Sequence, residues 1–268
     1  MLSIITPVYN SGDFIASCIQ NVIDQDCPDI EHVIVDGGST DGTVDLIRSY
    51  ADRYPHIRWI SEKDKGQSDA MNKGIANAKG EILGILNADD YYESSVLNRI
   101  VQLFQGLPNP SFLAGNCNIW DDKDALVDVN KPSHLGLEQL LQGWCVHPFP
   151  YNPSAYFYHA SLHELAGLFD VDEHFSMDLE FILRAVQVSN VYYHDQIWGN
   201  FRIHQDTKTF RDSSNGDSMG RVNRIMRHYR KNLTPISRLK VACIYEYYSN
   251  EQIRKTKKGL KTLLGVGG

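Results

Sequence analysis

Four short runs rich in β-branched residues, near positions 2–8, 31–35, 57–61 and 82–86, alternate with amphipathic stretches over the first ninety residues, and nothing else in the chain restricts its fold as much. Strands separated by helical segments read as βαβα units, which lay their strands mostly parallel in one sheet with helices on its faces. A sheet of this kind carries ligands in the crevice outside the carboxyl ends of its strands. Here those ends read Thr6-Pro7-Val8-Tyr9-Asn10, Asp36-Gly37-Gly38-Ser39, Ser61-Glu62-Lys63-Asp64 and Asn87-Ala88-Asp89-Asp90. Three of the four bring carboxylates to one edge.

From about 95 to 205 the alternation loosens into a helix near 93–105, strand-like pieces at 112–120, 126–130, 155–158 and 191–203, and an amphipathic helix from about 177. Leu179, Ile182, Leu183 and Val186 form an i, i+3, i+4, i+7 stripe, and Ser176 stands where an N-cap belongs. Segment 205–220 is polar and is expected to be a mobile loop. The expected organisation is one α/β domain over 1–230, with a nucleotide-binding half (1–92) and an acceptor-binding half (93–230), followed by a basic helical tail over 231–268. That tail holds eight Lys or Arg against two Glu, a net +6 within a chain whose formal charge is −7.

The acidic balance argues against a nucleic-acid binder, which needs a surplus of Lys and Arg to neutralise phosphates. Five cysteines, odd in number and never spaced CxxC, suggest neither a disulfide framework nor a zinc site and fit a reducing cytosol. Neither a signal peptide nor a run of about 18 apolar residues is expected, so any membrane contact is peripheral. The tail could dock on anionic lipid through apolar faces bearing Leu239, Ile244 and Tyr248 and then Leu260, Leu263 and Leu264; the alternative is a pair of terminal helices packed on the domain.

The strand end at Asp36-Gly37-Gly38-Ser39-Thr40-Asp41-Gly42-Thr43 combines an acid, two glycines that permit close backbone approach, and Ser39 or Asp41 as helix caps. On its own it is equally a strand, turn and helix with a structural Asp. A second acidic pair, Asp89-Asp90, closes another buried strand. Adjacent carboxylates repel unless a cation neutralises them, and Mg²⁺ or Mn²⁺ shared with substrate phosphates is a common solution.

Together with Glu62-Lys63-Asp64-Lys65-Gly66-Gln67-Ser68-Asp69-Ala70-Met71-Asn72-Lys73-Gly74, Phe175 to Arg184 and Phe201-Arg202-Ile203-His204, these segments resemble the successive signatures of family-2 glycosyltransferases with the GT-A fold. They run over roughly residues 2–210. The resemblance implies a Rossmann-like mixed, mostly parallel sheet flanked by helices. It also implies an inverting, metal-dependent transfer of a sugar from a nucleoside diphosphate, a UDP-sugar being favoured, to a saccharide or lipid-linked acceptor in bacterial cell-surface synthesis on the cytoplasmic side. Thr6, Pro7, Val8, Tyr9, Asp36, Asp69, Asn87 and Ala88 would bind the nucleotide. Asp89, Asp90 and His204 would hold Mn²⁺ or Mg²⁺, and Asp178 would be the general base. Glu180, Arg202, Trp144 and His147 are candidates for diphosphate or acceptor contacts. Asn87 stands where the family's metal motif commonly opens with Asp: it keeps an oxygen acceptor and loses a charge.

Asp178 is also what a helix dipole favours in a first turn. Asp178 and Glu180, two residues and about 200° apart, cannot both face one cleft. A dehydrogenase is disfavoured because Pro7-Val8-Tyr9-Asn10-Ser11-Gly12 replaces GxGxxG, and a P-loop enzyme because no GxxxxGK[ST] occurs. A sugar nucleotidyltransferase and a non-catalytic scaffold with the same fold remain as alternatives.

Overall fold

The computed structural model describes residues 1–150, 152–204 and 218–263, with 250–263 described by their helical backbone alone. In chain order the first half runs β1 (Leu2–Val8), α1 (Ile15–Ile23), β2 (Ile30–Asp36), α2 (Thr43–Ala51), β3 (Ile57–Ser61), α3 (Gln67–Asn77) and β4 (Ile82–Ile85). Then come β5 (Tyr91–Tyr92), α4 (Val96–Phe104), β6 (Ser111–Trp120), β7 (Leu126–Asn130), α5 (Leu137–Leu140), β8 (Tyr156–His159), α6 (Leu162–Ala166), α7 (Met177–Val188) and β9 (Asn190–Arg202). Two helices follow, α8 (Ser218–Tyr229) and α9 (Pro235–Leu263).

Among the described residues one sheet holds all nine strands, in the order β3-β2-β1-β4-β8-β6-β9-β5 with β7 paired to β6. β3, β2, β1 and β4 are parallel, with Ile5 opposite both Val33 and Ile85. β8 runs antiparallel between β4 and β6, while β9 returns parallel to β6. The chain therefore winds outward from β1 to β2 and β3 on one side and resumes at β4 on the other. That reversal opens a crevice beyond the ends of β1 and β4.

Strand periodicity sorts the core. Ile5, Val33, Val35, Leu83 and Ile85 face α3 and α7, meeting Met71, Leu179 and Phe181. Leu2, Ile4 and Ile82 face the opposite layer, with Cys18 and Val22 of α1 and Leu97, Ile100 and Phe104 of α4. Ile15, Ile19, Ile34 and Ile47 complete that layer under α2. Each such side chain taken fully out of water stabilises the fold by about 1.5–3 kcal/mol before conformational entropy is counted.

Three local expectations change. Ser176 precedes α7 but its hydroxyl makes no capping bond; the amides of Phe175 and Ser176 are instead taken by Glu173 Oε1 at 3.0 and 2.9 Å. Of segment 205–220, residues 205–217 lie outside the described residues, and Ser218–Gly220 already belong to α8. Within the tail, Pro235–Leu263 form one continuous helix rather than a pair, with Ile244 half-buried while Leu239 and Tyr248 are exposed; the side chains of Leu260, Leu263 and Leu264 lie outside the described ones. Among the described residues no helix is long and apolar enough to cross a membrane.

Candidate active site

The loops beyond the parallel strands are tied to one another by side chains that reach backbone amides. Asp36, wholly buried, accepts from the amides of Gly38 (3.0 Å) and Ser39 (3.1 Å) and from the Ser61 hydroxyl (2.6 Å). Its carboxylate thus fixes the turn after β2 and links it to the end of β3. The turn lies so close to the next loop that a Cβ on Gly37 would sit 2.4 Å from Asp64 Oδ2. Asn10 and Ser39 cross-link the first two loops, the Asn10 amide donating to Ser39 Oγ (2.7 Å) and the Thr40 amide to Asn10 Oδ1 (2.9 Å). Asp41, not Ser39, serves the start of α2, accepting the Thr43 amide at 3.1 Å.

At the end of β4 the two acids diverge. Asp90 is 2% exposed, and its Oδ2 accepts from the side-chain amides of Asn87 (2.9 Å) and Asn152 (3.0 Å). Burial, reinforced by the neighbouring Asp89 charge, holds its carboxyl well above the usual carboxylate range. Asp90 is thus turned inward onto two asparagine amides, while Asp89 keeps a quarter of its side chain exposed. Asp89 stays at the surface of the crevice, and its Oδ2 lies 3.0 Å from His204 Nε2, whose ring stacks on Phe14 at 5.2 Å between centroids. Asn87 completes the network by accepting from Gln67 Nε2 at 2.8 Å.

Among the described residues no group of three His, Cys, Asp or Glu is arranged to cage a metal. One carboxylate and one imidazole side by side nonetheless suit a divalent ion such as Mn²⁺ whose remaining positions are filled by phosphate oxygens and water. Asp90 Oδ1, buried and without a hydrogen-bond partner, adds an orphaned oxygen beneath the pair.

Asp178 lies in the first turn of α7 and accepts a hydrogen bond from the buried Tyr156 hydroxyl at 2.9 Å. The start of α7 is held against α3, since Ser68 Oγ bonds the Glu173 carbonyl (3.1 Å) and meets Met177 Sδ (2.9 Å). Adjacent Gln67 holds Asn87. The first turns of α3 and α7 and the end of β4 are therefore one connected assembly, with Asp178 at one end and Asp89 at the other. Glu180 points elsewhere, as the helical spacing requires, gripping Arg184 (2.7 Å) and accepting from the Tyr229 hydroxyl of α8.

The remaining sequence candidates separate into floor and periphery. Thr6, Pro7 and Val8 are buried in the β1 ladder, with Thr6 Oγ1 2.8 Å from His32 Nε2, and Tyr9 is the member of that run exposed at the strand end, 62%. Ala88 is buried, and Asp69 accepts the Lys65 amide at 3.1 Å and lies 3.5 Å from Lys73 Nζ. Arg202 pairs with Asp124 at 3.1 Å on the surface. Trp144 borders a crevice of about 10 Å³ beside Tyr245 and Tyr248 of α9, room for a water and not for a sugar ring. His147 packs on His134 at 4.6 Å, and burial followed by that neighbour lowers its pKa. A groove of about 580 Å³ along Asn10 to Phe14 and Asp41 to Ser49 is larger, but none of Asp36, Asp69, Asp89 or Asp178 lines it.

Four contributors escape the sequence reading of roles: Phe14, Gln67, Asn152 and Tyr156. Gln67 lay inside a recognised segment with no role assigned to it. Asn152 and Tyr156 reach the site from 62 residues beyond Asp90 and 22 before Asp178, separations that no local pattern encodes.

Acids stand beyond the β2 and β4 ends of a mixed sheet, faced by a helix that opens on an acid, and the fold is of the GT-A type. Residues 3–141 match the model of glycosyl transferase family 2, and the chain belongs to that family. An uncharacterized glycosyltransferase of Mycobacterium tuberculosis is 33% identical over 70% of this chain and 69% of its own length. The chain spans only 26%, 30% and 33% of three other curated relatives it matches, from Escherichia coli, Bacillus subtilis and Nostoc. Among solved structures, S. aureus TarS 1–349 in complex with UDP superposes with a TM-score of 0.69 at 17% identity, over 98% of this chain and 74% of that one. A mannosyltransferase from Pyrobaculum calidifontis in complex with GDP-Man and Mn²⁺ gives 0.65 at 18% identity, over 100% and 76%. At such identities these two establish the likeness of fold.

Proposed function

We propose that this protein transfers a sugar from a nucleoside diphosphate to an acceptor hydroxyl with inversion at the anomeric carbon. The observation that carries the reading is the connected assembly from Asp178 through Met177, Ser68, Gln67 and Asn87 to the segment bearing Asp89. It ties the Asp178 carboxylate at the head of α7 to the segment bearing Asp89, the carboxylate that would hold the metal. UDP is the proposed donor nucleotide, supported by the UDP complex of the structurally similar TarS.

In this mechanism Asp178 accepts the proton from the acceptor hydroxyl as its oxygen bonds to the anomeric carbon. The bond from that carbon to the β-phosphate oxygen breaks on the opposite face, and the electron pair leaves with the nucleoside diphosphate. A single displacement of this kind inverts configuration. Tyr156 orients Asp178, and Asp36 keeps the base-side loops closed on one another. Asp89 and His204 would hold Mn²⁺ or Mg²⁺, which neutralises charge developing on the leaving diphosphate; Asp90 supports the site from below rather than as an exposed ligand. A saccharide or lipid-linked acceptor in bacterial cell-surface synthesis, on the cytoplasmic side where nucleotide sugars are made, completes the proposal.

Calorimetric titration of UDP, GDP, dTDP and CMP, each with Mn²⁺ and with EDTA, tests it. Metal-dependent binding of one nucleoside diphosphate, kept in Asp178→Asn while that variant loses at least a thousandfold in transfer rate, is the expected result. Absence of any metal-dependent nucleotide binding would reject it in favour of a non-catalytic member of the fold.

A further inference from the structure

α9 carries two apolar faces. Val241 and Tyr245, four residues apart, are 0% and 4% exposed, and the Tyr245 ring lies 4.2 Å from the Arg230 guanidinium. That face docks the helix on the domain. A second set, Ile236, Leu239, Cys243 and Tyr247, recurs at steps of three, four and four, which at about 100° per residue places it along one side of the helix. Nothing covers it among the described residues: Ile236 is 83% exposed, Leu239 70% and Tyr247 67%, and Cys243 is exposed. A helix that merely closes a domain needs one apolar stripe and a polar outer side.

Charge decides what fits that side. Residues 231–268 carry eight Lys or Arg and two Glu in a chain of net charge −7. Lys231 is exposed near the start of the stripe, and Lys240, 63% exposed, lies between its members with its Nζ 3.5 Å from Glu138 Oε1 at the domain edge. Glu246, next to Tyr247 in sequence, has Arg227 at 3.9 Å and Arg230 at 4.0 Å. A second copy of the chain would bring the same positive charge to the same face. An anionic bilayer offers the opposite charge over a plane, with an apolar phase just beneath it to receive Ile, Leu and Tyr.

We infer that the outward face of α9 seats this protein on anionic lipid, the helix lying along the headgroups with Ile236, Leu239 and Tyr247 directed into the acyl boundary. The inference is independent of the catalytic reading, since it rests on none of the residues of the crevice. Flotation of the full chain with vesicles separates the cases. Binding to phosphatidylcholine vesicles containing phosphatidylglycerol, at least tenfold stronger than to phosphatidylcholine alone and weakened by salt, is expected. The triple variant Ile236→Ser, Leu239→Ser, Tyr247→Ser should lower the bound-to-free ratio at least tenfold while its circular dichroism and thermal melt stay unchanged. No binding to anionic vesicles at low salt, or equal binding by the triple variant, overturns the inference. So does light scattering that shows a dimer which the triple variant converts to monomer without any vesicle binding.

Discussion

His32 shows how one buried group ties stability to pH. The imidazole is 0% exposed on β2 beside β1, its Nε2 is 2.8 Å from Thr6 Oγ1, and burial followed by the His56 charge lowers its pKa to about 3. In the unfolded chain it titrates near the ordinary value of about 6.5. The unfolded state therefore binds the extra proton first, so the His32 contribution is intact above about pH 6.5 and is lost as pH falls from there towards 3. Between pH 6.5 and 4.5 that loss is about 2–3 kcal/mol at about 1.4 kcal/mol per pH unit. Urea melts at pH 7.5 and 4.5 should show His32→Gln losing correspondingly less on acidification than the parent. The acids beyond β4 make a second test at this scale. Asp89→Ala should weaken Mn²⁺-dependent UDP binding at least tenfold, about 1.4 kcal/mol, whereas Asp90→Asn, which keeps an oxygen for the amides of Asn87 and Asn152, should leave it within twofold. Equal losses in calorimetry would mean that the two carboxylates share the ligand role. The sequence displayed both acids but not their divergence. That outcome depends on Asn152, which enters from another part of the chain.

At the scale of elements, α3 illustrates a helix whose position matters more than its propensity. Gly74 lies in its interior, and a Cβ there would stand 2.3 Å from Ile5 Cγ2 of β1. Alanine is the better helix former by about 1 kcal/mol, yet the clash forces the helix off the sheet or Ile5 out of its rotamer, at a cost of about 1–3 kcal/mol. Gly74→Ala should therefore lower the urea midpoint. Because Gln67 and Ser68 at the other end of α3 hold Asn87 and Met177, it should also weaken UDP binding. The strands β1 to β4 were legible because both faces of a parallel sheet are covered, which leaves near-continuous apolar runs. Their partners in the second half were legible as strands but not in order. The placement of β8 between β4 and β6 rests on pairings of residues 73 to 77 and 42 to 46 apart, such as Ile82 with His159 and Ala114 with Tyr156. The two-residue β5 has no periodicity to read; it exists because Tyr91 and Tyr92 meet Asn200 and Gly199 of β9.

Across the whole molecule, the helix that opens on Asp178 is also the one that receives the C-terminal segment. Glu180, in the same turn, binds Arg184 through two oxygens at 2.7–3.0 Å and accepts from Tyr229 of α8, while Arg184 also donates to the Leu168 carbonyl at 2.8 Å. The pair is only about one-fifth exposed on each side, so removing one member leaves a poorly hydrated partner rather than a freely solvated one. Glu180→Ala should destabilise the fold by about 1–3 kcal/mol, at the low end because some solvent screening persists. The consequence for activity follows from spacing along α7. Loss of the anchor loosens the turn that aims Asp178, while Asp36, Asp89 and His204 stand on other elements. The turnover rate should therefore fall several-fold with the UDP dissociation constant unchanged. A matching drop in UDP affinity would show instead that the C-terminal segment supports the whole crevice and not the α7 turn alone.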